Sequence, residues 1–132
     1  MKNNYAGVER RECERYDFEK PFQYREVTSS GKEKSLSSVI KGVVKNLSAS
    51  GLLFVINSKN IPNIASLLLL ELEYYSAAIC RELEERSLIA QNIFLGKVVR
   101  IESNADGTSD VGVALVPRQS ELTSDIETLI GE

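Results

Sequence analysis

Asn46-Leu47-Ser48-Ala49-Ser50-Gly51 separates two apolar stretches, Val39-Ile40-Lys41-Gly42-Val43-Val44-Lys45 and Leu52-Leu53-Phe54-Val55-Ile56. Both flanks are rich in Val, Ile, Leu and Phe, so each reads as a strand and the six residues between them as their connection. Asn46 and Ser48 carry short polar side chains that fold back onto nearby backbone N–H groups and shape such a turn. Gly51 admits a positive φ, or a close approach to the backbone where a Cβ would interfere. Taken alone, the stretch describes a β connection.

Working outward, the residues on both sides keep to β patterns. Phe22, Tyr24 and Glu26 alternate with Gln23, Arg25 and Val27, which predicts a first strand over residues 18–27 with Pro21 near its start. Residues 28–35 are polar and predict a loop, and residues 57–63 a connection. Residues 64–86 are full of Leu, Glu and Ala, and intrinsic propensity there favours a long helix. Against it, Leu70-Glu71-Leu72-Glu73-Tyr74 alternates like a half-buried strand. The alternation predicts a strand over residues 67–75, with a loop or short helix over 76–86. Phe94-Leu95-Gly96-Lys97-Val98-Val99-Arg100-Ile101 is a strong strand, Asp106-Gly107 a hairpin signal, and Asp110 to Val116 the last strand, stopped by Pro117. Leu122, Ile126, Leu129 and Ile130 then recur at helical spacing and predict a C-terminal helix over residues 119–130. About six strands with short turns and one terminal helix point to a mainly β protein built as a small antiparallel barrel.

Composition narrows the function classes. The 132 residues suit one domain with its own core, and 42% hydrophobic with 27% charged residues is ordinary for a soluble globular protein. A net charge of −3 disfavours a basic nucleic-acid-binding module, so any anion site must come from local clustering of arginine. The sequence has no histidine, which removes the commonest general base and the commonest transition-metal ligand. Cys13 and Cys80 make neither a disulfide framework nor a metal-ligand spacing. No leader pattern opens the chain and no apolar run approaches the roughly 20 residues that span a bilayer, so a reducing cytoplasm is the expected home. With no nucleophile motif and no metal cluster, an enzyme is not expected, nor is a cofactor.

Residues 1–8 are polar and aperiodic and read as a loose terminus. The next stretch, Glu9-Arg10-Arg11-Glu12-Cys13-Glu14-Arg15-Tyr16, places Arg11 and Arg15 four apart behind a further arginine. A charge run of this kind reads first as solvated surface, with Glu12 and Glu14 balancing the cations. Guanidinium groups also bond guanine bidentately, stack on the purine face and pair with phosphate.

Arg-x-x-x-Arg, followed downstream by an Asn-x-Ser-x-x-Gly turn between strands, resembles the two-part signature of the PilZ domain family, and the similarity runs over residues 9–116. That resemblance implies a six-stranded antiparallel β-barrel over residues 18–116, an arginine arm at 9–16, and a domain reaching to residue 132. It also implies a bacterial receptor for cyclic di-GMP. By that likeness Arg11 and Arg15 hold guanine and phosphate, while Asn46, Ser48 and Gly51 meet a guanine on the barrel surface. Similar proteins with an arginine just ahead of the motif take a stacked pair of ligand molecules, which makes Arg10 a further contact. Ordering of the arm would signal to an unidentified partner protein, with motility, polysaccharide production and adhesion as typical outputs. The competing expectation is a PilZ-like interaction module that binds no nucleotide.

Overall fold

Leu52, Phe54 and Ile56 are buried while the residues between them are half-exposed, so the second flank of the central turn is a strand with one face inward. The computed structural model describes residues 16–30, 33–75, 77 and 79–120. Its strands are β1 (Tyr16–Ser30), β2 (Glu33–Leu36), β3 (Ile40–Ser48), β4 (Gly51–Asn57), β5 (Leu67–Glu71), β6 (Leu88–Ala90), β7 (Ile93–Ser103) and β8 (Thr108–Leu115). A short helix, α1 (Cys80–Arg86), lies between β5 and β6.

The sheet order is β2-β1-β3-β4-β8-β7-β5, and β5 pairs back onto β1. Every pairing is antiparallel. Six strands therefore close a ring, β1-β3-β4-β8-β7-β5, which leaves no open edge along the ring. β2 extends β1 past the ring and β6 rides beside β7. The expected six-stranded antiparallel barrel is the one observed.

The interior is filled from alternate positions of all six strands. Phe22, Tyr24 and Phe54 cluster there, with Phe22 and Phe54 in an edge-on arrangement at 4.9 Å between ring centres and Tyr24 5.3 Å from Phe54. α1 sends Leu83, fully buried, into the same core. A second apolar cluster forms on the outer side of the ring, where Leu69 of β5 packs with Leu95 of β7 and Val116. β5 is thus buried on both faces, which is why its Leu67-Leu68-Leu69-Leu70 run lacks alternation and suits helix or strand equally by composition.

Three expectations change. Residues 28–30 and 33–35 are not loop: β1 continues to Ser30 and pairs with β2 from Val27↔Leu36 to Ser30↔Glu33. Across the two strands the Thr28 and Ser35 hydroxyls meet at 2.7 Å. The strand expected over residues 67–75 ends at Glu71, after which Leu72 and Tyr74 continue into the core from non-strand backbone. Residues 118–120 form a turn closed by the Ser120 amide on the Pro117 carbonyl at 3.0 Å. The remainder of the expected C-terminal helix lies outside the described residues, as do the 1–8 terminus and most of the arm.

Candidate ligand-binding site

The central turn is a two-residue hairpin loop, Ala49-Ser50, between the partners Ser48 and Gly51. Ser48 is 4% exposed and its hydroxyl is spent within the turn. The Oγ accepts the Gly51 amide at 3.1 Å and the Ser50 amide at 3.3 Å, and reaches the Gly51 carbonyl at 3.2 Å as donor. This is the backbone-mimicking bond that serine supplies in turns. The loop is also tied to β8, whose Leu115 amide bonds the Ser50 carbonyl at 2.8 Å.

Gly51 is required by the barrel itself. A Cβ built there would lie 2.5 Å from the Val113 carbonyl oxygen on the neighbouring strand β8, and nothing about it is a flexible side-chain end that could move aside. The second of the two roles open to this glycine from sequence, close approach, is the one realised, and the approaching atom is β8 backbone.

Asn46 reaches the outer surface through an irregularity. Val44 pairs with Phe54 and Asn46 with Leu53, so Lys45 is the extra residue of a β-bulge. Val44 and Leu47 are both buried. Strict alternation from Val44 would turn Asn46 inward and Leu47 outward; the bulge reverses both. The Asn46 Oδ1 is buried and finds no hydrogen-bond donor among the described residues.

The same geometry recurs on β7. Val98 pairs with Val113 and Arg100 with Gly112, which leaves Val99 as the bulged residue. Val98 faces the core and Arg100 is exposed. Arg100 therefore lies in one cross-strand row with the turn: Asn46↔Leu53, Leu53↔Gly112, Gly112↔Arg100. The next row is Ser48↔Gly51, Gly51↔Ala114, Ala114↔Lys97. Sequence reading did not single out Arg100, because alternation without the bulge directs it into the core.

β1 enters at the same place. Tyr16 pairs with Leu47 and Asp17 with Asn46. The backbone immediately after Arg15 is thereby fixed beside the Asn46–Gly51 turn. Arg10, Arg11 and Arg15 lie outside the described residues.

A shallow depression elsewhere is lined by Phe22, Gln23, Lys41, Glu71, Glu73 and Asn92. Its carboxylates are engaged, Glu73 by Lys20 at 3.0 Å and Glu71 by Gln23 at 2.6 Å. Among the described residues no cluster could hold a metal ion, and no helix is long and apolar enough to cross a membrane.

No curated protein matches the chain closely enough to serve as a relative. The PilZ domain model matches residues 9–132. With nearly the whole sequence covered, and the six-stranded antiparallel ring that such a domain requires in place, the chain belongs to the PilZ domain family.

Proposed function

We propose that this protein is a cyclic di-GMP receptor without catalytic activity, in which the arginine arm and the Asn46–Gly51 turn clamp the dinucleotide. The family generally provides receptor domains for that second messenger. The observation that carries the reading is the pairing of Tyr16 with Leu47 and of Asp17 with Asn46. Successive Cα atoms are about 3.8 Å apart, so the pairing of Tyr16, the residue after Arg15, beside the turn supports a reading in which the arm and the turn serve one ligand.

The parts divide the work. Arg11 and Arg15 supply charge-assisted, bidentate bonds to phosphate and guanine, with Arg10 beside them to balance the charge of a second, stacked ligand. Asn46 offers a neutral amide to a base edge. Ser48 and Gly51 act by holding the turn in the shape that presents Asn46, since the Ser48 hydroxyl is consumed internally. Ordering of the arm on the ligand builds a new surface, which is how binding is passed to a partner protein in the cytoplasm.

Calorimetric titration of cyclic di-GMP tests this. Saturable binding by the intact protein, lost in Arg11→Ala/Arg15→Ala and weakened by added salt, is the expected result. A folded sample that takes up no ligand at low salt overturns the receptor reading and leaves a nucleotide-free interaction module.

A further inference from the structure

The outer wall beside the turn has an unusual floor. Leu52, Phe54, Val111 and Val113 point into the core, so Gly51 and Leu53 of β4 share the outer face with Gly112 and Ala114 of β8. Leu53 is the one large side chain of these four, and it is flanked across the strands by Gly112. Small residues at three of the four positions, Gly51, Gly112 and Ala114, leave a low apolar surface around Leu53 where a sheet exterior ordinarily carries long polar side chains.

The two sides of that floor differ in chemistry. On β3 lies Asn46, whose neutral amide has an Oδ1 with no partner among the described residues, just ahead of the Ala49-Ser50 loop. On β7 lie two exposed cations, Lys97 and Arg100. Arg100 does not simply project into water. A Cβ built on Gly112 would meet the Arg100 Cβ at 3.5 Å and its Nε at 3.9 Å, so the side chain leans over the glycine. Its only close carboxylate among the described residues is Glu102, at 3.6 Å from Nε, with side chains 57% and 62% exposed. A pair so open to water holds the guanidinium weakly.

From these observations we infer that Arg100 is a further guanidinium contact for the dinucleotide, separate from the arm, on the side of the floor opposite the Asn46–Gly51 turn, with Lys97 adding positive charge beside it. This rests on the receptor reading and extends it to a residue outside the two motifs. Asn46 and Arg100 stand three strand spacings apart, roughly 14 Å. A ligand with two purines and two phosphates bridges such a distance, with one base over Leu53 and Gly112, whereas a mononucleotide reaches only one side. The planar guanidinium lying over Gly112 is placed to stack on a purine face or to bond its O6 and N7 edge. Gly112 then has a function distinct from that of Gly51: it leaves the space in which the guanidinium and the base lie.

The test compares cyclic di-GMP binding by the wild type with Arg100→Ala, Arg100→Lys and Gly112→Leu, each checked for an unchanged melting transition. Arg100→Ala is expected to weaken binding about tenfold or more, and Arg100→Lys to restore only part of that, because charge returns without the planar fork. Gly112→Leu faces open surface apart from Arg100, so it is expected to fold normally and to lose affinity. Arg100→Ala binding as tightly as the wild type, while Arg11→Ala/Arg15→Ala abolishes binding, overturns this inference and leaves the receptor reading intact. Arg100→Lys equal to the wild type overturns the stacking and bidentate role. No binding by the wild type overturns both readings at once.

Discussion

The hydroxyl of Ser48 and the backbone of Gly51 exchange two hydrogen bonds, the Gly51 amide donating to Oγ at 3.1 Å and Oγ reaching the Gly51 carbonyl at 3.2 Å. They are also direct strand partners, so the bonds close the hairpin between β3 and β4 at its last rung. Replacing Ser48 by alanine strands two amides, those of Ser50 and Gly51, in a setting where Ser48 itself is buried. A stranded buried donor costs about 1–3 kcal/mol. Urea denaturation of Ser48→Ala should show a loss of that size at unchanged m-value. A change below about 0.5 kcal/mol, the range of ordinary surface substitutions, would show that the turn does not depend on this hydroxyl.

Gly51→Ala should be worse, for a steric reason. The added methyl would lie 2.5 Å from the Val113 carbonyl oxygen, and relief requires β4 and β8 to move apart. Backbone shifts forced by overpacking typically cost about 1–3 kcal/mol. Hydrogen exchange offers the sharper readout: amides shared by β4 and β8, such as those around Leu53↔Gly112, should lose protection while those of the β1–β5 pairing keep theirs. Uniform loss across the barrel would point to global destabilisation without the local separation described.

Phe54 is fully buried and touches both Phe22 and Tyr24. Phe54→Ala removes the middle of that aromatic cluster and should cost about 3–5 kcal/mol. Set against a typical total of about 5–15 kcal/mol, that is a large fraction of the stability of one domain. The melting temperature should fall steeply, and a near-wild-type transition would mean the core collapses to fill the space.

The strong patterns translated directly into structure: Phe94 to Ile101 is inside β7, the Asp106-Gly107 signal sits in the β7–β8 connection, and the central turn joins β3 to β4. The losses have identifiable causes. Residues 28–35 looked like a loop because their side chains are polar, yet backbone pairing from Val27↔Leu36 to Ser30↔Glu33 needs no apolar alternation and leaves no periodic trace. Leu67 to Leu70 belongs to a strand buried on both sides, so the period that distinguishes strand from helix is missing. The bulges at Lys45 and Val99 matter most for the site. Each shifts the in–out parity by one, and parity is all that a sequence pattern reports. Asn46 was found through its motif; Arg100, with no motif to mark it, became visible only through register. The arginines at 10, 11 and 15 were legible as a motif, but lie outside the described residues.

Two buried tyrosines make the fold sensitive to alkali. Burial, with the nearby charge of Glu26 adding to it, pushes Tyr24 up to about 12. Burial also raises Tyr74 well above its usual range, helped by its 2.9 Å hydrogen bond to the Glu84 carboxylate on α1. In the unfolded chain both phenols ionise near 10. Between that value and the folded one the unfolded state has released protons that the native state retains. Stability is therefore fully present below about pH 10 and falls as pH rises through about 12, the direction linkage requires for raised values. Urea denaturation at intervals across that window should show a declining stability for the wild type and a flatter decline for Tyr24→Phe/Tyr74→Phe. The double variant starts lower, because the Tyr24 hydroxyl also bonds the Asn60 carbonyl at 3.3 Å and the Glu84 carboxylate loses its donor. Equal slopes in the two proteins would show that neither phenol is held neutral by the fold, and that alkaline unfolding comes from loss of lysine charge instead.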